Sequence, residues 1–130
     1  MRVGEVMHAG VITCDRDATL ADVARTMATE RVHCVVVESG SGEAGPLWGI
    51  VSDLDLVAAA SVRGLEDQTA GGSAASPLVI VSAAETLERA AQLMTEHGTS
   101  HLVVVDEDRA SNPVGVLSTL DIAAVLSSVR

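Results

Sequence analysis

The chain has 130 residues, of which 48% are hydrophobic and 20% charged, a composition that fits a compact fold and excludes a disordered chain. Eight arginines and no lysine stand against 18 acidic residues, and the net charge of −10 makes nucleic acid and anionic membranes poor partners. No apolar run approaches the roughly 20 residues that span a bilayer, and the N-terminal MRVGEVMHAG lacks the pattern of a secretory signal, so we expect a cytoplasmic protein.

The first half of the chain predicts a strand, a long helix, two further strands and a short helix. The apolar positions from Leu20 to Met27 recur at the i, i+3, i+4, i+7 spacing of an amphipathic helix, and Thr19 can cap its N-terminus. The β-branched run Val35–Val37 lacks alternation, which is typical of a strand covered on both faces. The predicted order is a strand at Val11–Thr13, the helix, the valine strand, a turn over residues 39–46, a strand ending at Ser52 and a helix from Asp55 to Val62.

The second half repeats this order after a segment rich in Gly, Ser, Ala and Thr. Residues 63–77 have the composition of a linker, so we predict one repeat over residues 1–65 and a second over residues 66–130. Each repeat is a β-α-β-β-α unit of about 60 residues, which is marginal alone, and the two should pack on each other. The predicted elements are a strand at Val79–Val81, a helix from Leu87 that Thr86 caps and Gly98 ends, a strand at Leu102–Val105, a strand ending at Ser118 and a helix from Asp121 to Ser127.

Two short motifs recur in the two halves. The stretch GIVSDLDL, with Ser52 and Asp55, returns as GVLSTLDI, with Ser118 and Asp121, and HCVVVE returns as HLVVVD. A carboxylate that follows a serine at a strand-to-helix junction can accept hydrogen bonds from both hydroxyls of a ribose. The same residue is also favourable as a helix cap without any ligand, so both interpretations stay open.

These elements and motifs together resemble a tandem pair of cystathionine β-synthase (CBS) domains, a Bateman module, over essentially the whole chain. The resemblance implies an α/β (α+β) fold of two repeats packed face to face with pseudo-two-fold symmetry. It implies a free-standing regulatory module that needs no cofactor and binds AMP, ADP, ATP or S-adenosylmethionine in clefts between the repeats. It also implies a homodimer and a partner protein that the module regulates.

The resemblance further implies which residues meet the ligand. The aspartates of the two motifs would hold ribose, and the serines would lie near the phosphate. His33 and His101, matched as equivalent positions, would also face phosphate, although a hydrogen bond to backbone is an equal alternative for His33. The full set of expected ligand-binding residues is Asp121, Ser118, His101, Ser100, Ile12, Thr13, Asp55, Ser52, His33, Val79 and Ile80.

In the family, adenine contacts the strand start of the opposite repeat. This implies Ile12–Thr13 for the site at Asp121 and Val79–Ile80 for the site at Asp55. Lysine is absent and no arginine stands beside either histidine, so AMP, adenosine-like or S-adenosyl ligands are expected over ATP. Asp53 adds a negative charge at one site, which makes the Asp55 site the weaker candidate.

Other functions fit the sequence less well. The chain has no GxxxxGK loop and no convincing Ser-His-Asp or Cys-His set, so an enzyme is not expected. Cys14, Cys34 and the four histidines lack the short paired spacing of a zinc site, so no metal is expected. A ligand-free dimerisation module that docks on a partner protein stays open as the alternative, with Ala-rich faces such as Ala90–Ala91 at the dimer contact.

Overall fold

The computed structural model describes residues 1–38, 47–74, 78–106 and 108–128, which form two sheets and six α-helices. The turn expected over residues 39–46 lies outside the described residues. Within them, none of the helices has both the length and the apolar content to cross a bilayer. In chain order the elements are α1 (Val3–Val6), β1 (His8–Ala9), β2 (Thr13–Asp15), α2 (Leu20–Glu30), β3 (Cys34–Glu38), β4 (Leu47–Ser52), α3 (Asp53–Ala60), a 3₁₀ turn (Leu65–Asp67), α4 (Ala70–Ser73), β5 (Ile80–Ser82), α5 (Leu87–His97), β6 (His101–Asp106), β7 (Arg109–Ser118) and α6 (Thr119–Ser128).

The contacts divide the chain into two compact units. Unit 1 contains Met1–Val11 and Val79–Arg130, and unit 2 contains Ile12–Leu78. The sheet of unit 1 has the strand order β1-β7-β6-β5, and that of unit 2 has the order β2-β3-β4. In each sheet the strand before the long helix runs parallel to the valine strand, which pairs antiparallel with the strand that follows it. The predicted order of strand, helix, strand, strand and helix is therefore confirmed in both repeats.

Both long helices begin at the predicted threonine caps, and the second ends at the predicted glycine. The hydroxyl of Thr19 accepts a hydrogen bond from the backbone N–H of Asp22 at 3.1 Å, and Thr86 does the same for Arg89 at 3.2 Å. Both helices end in a left-handed residue, which is Gly98 in α5, as predicted. The apolar stripe of each helix faces its own sheet, so each unit has its own core: Leu20, Val23, Met27, Val35, Val37, Val51, Ala59 and Ala70 in unit 2, and Val3, Val79, Val81, Ala90, Met94, Leu102, Val104 and Leu117 in unit 1. The expected dimer contact at Ala90 is wrong, because this side chain is fully buried in the core of its own unit.

The first short helix of the chain belongs to the unit that the second repeat mainly forms. The N–H of Val3 donates to the carbonyl of Glu85 at 2.8 Å, and that of Gly4 donates to Ala83 at 2.9 Å. Val3 is fully buried in the core of unit 1. The segment Met1–Val11, which we call the leader of the first repeat, thus completes a core whose other residues come from the second repeat.

The leader of the second repeat makes the matching contacts in unit 2. The N–H of Ala70 donates to the carbonyl of Ala18 at 2.8 Å, and that of Gly71 donates to Arg16 at 2.8 Å. Ala70 is fully buried, as Val3 is in unit 1. The two repeats have therefore exchanged their leaders, and the compact units differ from the predicted repeats over residues 1–11 and 66–78.

This packing corrects the expected linker over residues 63–77. The segment contains the 3₁₀ turn Leu65–Asp67 and α4, and the side-chain amide of Gln68 donates to the carbonyl of Ala59 at 3.0 Å. Glycine, serine and alanine suit this segment because the backbone of α4 approaches closely: a Cβ at Gly71 would lie 2.9 Å from that of Arg16. Residues 75–77 lie outside the described residues.

Candidate functional site

The repeated Ser-x-x-Asp motif forms the same capping box in both units. The hydroxyl of Ser52 accepts from the N–H of Asp55 at 3.2 Å, while Oδ2 of Asp55 accepts from the N–H of Ser52 at 2.8 Å. Ser118 and Asp121 make the same two bonds at 3.2 and 2.8 Å. Each helix begins directly after its serine, earlier than predicted, because the serine is the N-cap and the aspartate is the third helical residue.

The capping box uses only part of each carboxylate. Oδ1 of Asp121 lies 2.9 Å from Nε2 of His8, and the side chain of Asp121 is 10% exposed against 81% for His8. Among the described residues, Asp55 makes only its two capping bonds. His8 was not among the expected ligand-binding residues, so the sequence analysis missed a residue that contacts a candidate ribose acceptor.

The strand pairing of unit 1 places several candidates on one face of the sheet. Ser118 of β7 pairs with His101 of β6. Two positions further along these strands, Val116 and Val103 pair with each other and with His8 and Ile80 on the outer strands. Because side chains alternate between the two faces of a strand, Ser118, His101, His8 and Ile80 lie on the same face. We call this the distal face, because the opposite face carries the core residues. Ile80 is 43% exposed there, whereas Val79 is 9% exposed and packs in the core. The row across the four strands is His8, Val116, Val103 and Ile80.

The pairing in unit 2 corrects the match between the two histidines. Ser52 pairs with Cys34, which makes Cys34 the counterpart of His101 and Ser100 the counterpart of His33. His33 is thus one position out of step, and a shift of one residue moves a side chain to the other face of a strand. The ring of His33 is 72% exposed, and its Nδ1 lies 3.2 Å from Oδ2 of Asp53.

The residues expected to contact adenine lie at the start of a strand in each unit. Ile12 and Thr13 lie in unit 2 with Asp55, whereas Val79 and Ile80 lie in unit 1 with Asp121. Thr13 is exposed and pairs with Val36, so it lies on the face of the unit 2 sheet opposite the core, the face that also carries Ser52. Ile12 is half-buried against the core of unit 2. Within each unit, the second residue of the expected adenine pair is therefore accessible and the first is part of the packing.

The remaining candidates surround the cap in unit 1. The hydroxyl of Ser100 lies 3.0 Å from Nδ1 of His101, and the carbonyl of Ser100 accepts from the N–H of Thr119 at 3.0 Å. His101 is half-buried and Ser100 is exposed. Shallow surface depressions on the exposed sides of α2 and α5 contain none of the candidate residues. The candidate site is therefore defined by this cluster of polar side chains where β7 meets α6.

Two segments of the chain, residues 3–62 and 74–128, match the model of the CBS domain. The chain belongs to the CBS domain family. The two matched segments are a tandem pair of CBS repeats, so the resemblance to a Bateman module is confirmed. Among curated proteins compared by sequence, none matches the chain.

Solved structures share the fold of this CBS pair. The CBS domain protein PAE2072 from Pyrobaculum aerophilum, complexed with AMP, is 28% identical, with 98% of this chain and 97% of that chain covered and a TM-score of 0.81. A hexameric CBS-CP12 protein from bloom-forming cyanobacteria is 25% identical, with 100% and 76% covered and a TM-score of 0.84. The CBS domain pair of protein MJ0100 is 18% identical, with 98% and 96% covered and a TM-score of 0.82.

Proposed function

We propose that this CBS pair is a regulatory module that binds an adenosine-type ligand, AMP-like or S-adenosyl, and signals by a change in conformation or oligomeric contacts. Two findings support the proposal: the repeated cluster of polar side chains at the strand-to-helix junction, and the similarity to a CBS protein that is complexed with AMP. The ribose would bind at Asp121 and Asp55.

The observation that carries this proposal is the acceptor capacity that capping leaves in the two carboxylates. Each accepts one backbone N–H through Oδ2, and an ionised carboxylate has about four acceptor positions. The cap also fixes the direction of each side chain before any ligand arrives, which lowers the entropic cost of binding. Capping and ribose binding are thus compatible roles for Asp55 and Asp121.

The surroundings of Asp121 favour a ligand with little negative charge. Ser118 and His101 are paired on the distal face and can donate to a phosphate, but the protein has no lysine and carries a net charge of −10. A triphosphate would meet strong repulsion from such a chain. AMP, adenosine or an S-adenosyl compound is therefore the expected ligand class.

The test compares AMP with 2′-deoxy-AMP by calorimetry. Asp121→Ala should lower AMP affinity about tenfold or more, because hydrogen bonds to a charged acceptor contribute about 1.5–3 kcal/mol. The same variant should discriminate less between the two ligands. Asp55→Ala measures the contribution of the other repeat.

A matched control must measure the effect of losing a helix cap alone. Thr86→Ala removes a cap from α5 and should lower stability by about 1 kcal/mol without changing AMP affinity. If Asp121→Ala behaves as Thr86→Ala does, or if wild type binds AMP and 2′-deoxy-AMP equally, the aspartate is a cap alone and the ribose site is wrong.

A ligand-free homodimerisation module is the second candidate function, and exposed apolar residues favour it. Leu54 on α3 and Leu120 on α6 occupy the same position of the two repeats and are 72% and 68% exposed. Apolar side chains presented twice on short helices are typical of a docking surface. We propose that they contact a second copy of the chain.

Light scattering tests the dimer contact, and the response to ligand separates this candidate from the first. A dimer has twice the 13.3 kDa chain mass, and Leu54→Ser with Leu120→Ser should shift it towards monomer. Val62→Ser removes an equally exposed apolar side chain outside α3 and should leave the mass unchanged. A dimer that shows no thermal shift with adenosine, AMP or S-adenosylmethionine would favour the interaction module.

A further inference from the structure

We propose that His8 competes with the ligand for the carboxylate of Asp121. We call the contact between His8 and Asp121 the clasp, and a ribose that binds this carboxylate must displace the imidazole. This inference rests on the proposed function. The histidine is supplied by the first repeat, whereas the carboxylate belongs to the capping box of the second. A CBS unit would thus carry its own weak competitor for one of the two ligand sites.

The contact occupies the one oxygen of Asp121 that the cap does not use. Oδ2 accepts from the N–H of Ser118 at 2.8 Å, and Oδ1 lies 2.9 Å from Nε2 of His8. A ribose that takes two hydrogen bonds from this carboxylate needs Oδ1, so ribose and imidazole compete for the same atom. The ring of His8 is 81% exposed, so it can leave the carboxylate without breaking any buried contact.

The backbone that carries His8 is held firmly in unit 1. His8 in β1 pairs with Val116 in β7, and the N–H of Gly10 donates to the carbonyl of Val114 at 2.8 Å. The approach to β7 is close, because a Cβ at Gly115 would lie 2.5 Å from the carbonyl oxygen of His8. The imidazole is therefore delivered to Asp121 by a fixed strand, and only its side chain has to move.

The sequence of the second leader has no histidine at the position equivalent to His8. Val3–Gly4 and Ala70–Gly71 make equivalent backbone contacts, and the same offset matches His8 with Ala75 in the second leader. Alanine has no hydrogen-bonding side chain, so it cannot compete for a carboxylate. The second leader therefore supplies no equivalent competitor for Asp55. The two ligand sites should differ in affinity for this reason.

The experiment measures adenosine affinity in backgrounds that leave one site. With Asp55→Ala present, His8→Ala should tighten adenosine binding about two- to fivefold at low salt, the effect of an exposed polar pair. With Asp121→Ala present instead, His8→Ala should have no effect, because the competed carboxylate is gone. Adenosine has no phosphate, so the imidazole cannot affect its binding through a phosphate contact.

A second measurement detects the clasp without ligand. The imidazole signals of His8 in NMR spectra should move when Asp121 is replaced by Asn, and adenosine should move them in the same direction. Equal adenosine affinity with and without His8, in the Asp55→Ala background, overturns the clasp while the proposed function stands. If adenosine, AMP and S-adenosylmethionine bind neither protein, the proposed function and the clasp both fail, even where His8 and Asp121 are shown to be in contact.

Discussion

Cys34 and His101 give the two repeats different chemistry at one equivalent position. Cys34 occupies in unit 2 the position that His101 occupies in unit 1, opposite the capping serine. Burial, together with the nearby carboxylate of Asp53, raises the pKa of the Cys34 thiol to about 12 from its ordinary 9.0. A neutral thiol at this position cannot assist a phosphate, so the phosphate-binding chemistry proposed for His101 has no counterpart in unit 2.

The raised pKa predicts that the free energy of unfolding falls at alkaline pH. Above pH 9 the thiol ionises in the unfolded chain but not in the folded one, so the unfolded state binds fewer protons and gains stability. The expected contribution of Cys34 is a loss of about 1.4 kcal/mol per pH unit from pH 9 towards 12. Urea unfolding at pH 8 and pH 10.5 measures it.

The composition leaves few other side chains that titrate between pH 9 and 12. The chain has no lysine and no tyrosine, the side chains that ordinarily titrate in this range. Cys14, whose pKa burial raises to about 11, is the other contributor. Cys34→Ala in a Cys14→Ala background should abolish most of the alkaline loss, and an unchanged slope would contradict the assignment to Cys34.

The sequence analysis placed the aspartates and serines correctly at the junctions but misplaced one histidine. HCVVVE and HLVVVD look aligned letter by letter, yet strand pairing opposite Ser52 and Ser118 shifts the match by one residue. Composition cannot determine such a register, because valine suits either face of a buried strand. The contact of His8 with Asp121 was equally inaccessible, since it depends on which sheet the leader joins.

At the scale of elements, the ends of the two long helices show a difference between the repeats. Both α2 and α5 end in the left-handed conformation, at φ 56° in Arg31 and φ 60° in Gly98. A non-glycine residue is strained there by its Cβ, while glycine is not. Arg31 is exposed, so its side chain is free to be removed without opening the core.

Arg31→Gly should therefore stabilise the protein by about 0.5 kcal/mol, the relief of strain less the added entropy of the unfolded chain. The reverse change, Gly98→Ala, should destabilise it by about 1 kcal/mol. Urea midpoints of the two variants are the measurement. A loss of stability in Arg31→Gly would show that the left-handed residue is not strained.

The long helices and valine strands were predictable because each rests on a local pattern. Apolar spacing and threonine caps defined α2 and α5, and unbroken β-branched runs defined β3 and β6. The short helices α1 and α4 have no such pattern. They form because their backbone N–H groups find carbonyls on residues far along the chain, and the sequence of Ala70–Ser73 alone was interpreted as part of a linker.

At the scale of the whole molecule, the exchanged leaders make the segment Met1–Val11 part of a core built mainly by the second repeat. Val3 is fully buried in that core. Its substitution should therefore be as costly as one in the middle of a strand.

Val3→Ala should lower the free energy of unfolding by about 2 kcal/mol, from lost burial and the cavity left behind. Val62→Ala is the matched control, since Val62 is 78% exposed and should change stability by less than about 0.5 kcal/mol. Thermal or urea unfolding measures both. Equal stability of the two variants would mean that the leader contributes little to unit 1.

The same exchange limits how such a protein could have begun. A gene that encoded only one repeat would have produced a chain without the core that its leader completes in this protein. Two identical chains could have satisfied both cores by trading leaders, as happens when protomers swap a segment. Duplication and fusion would then have joined the two copies in one chain, whose leaders can differ in sequence, as His8 and Ala75 do.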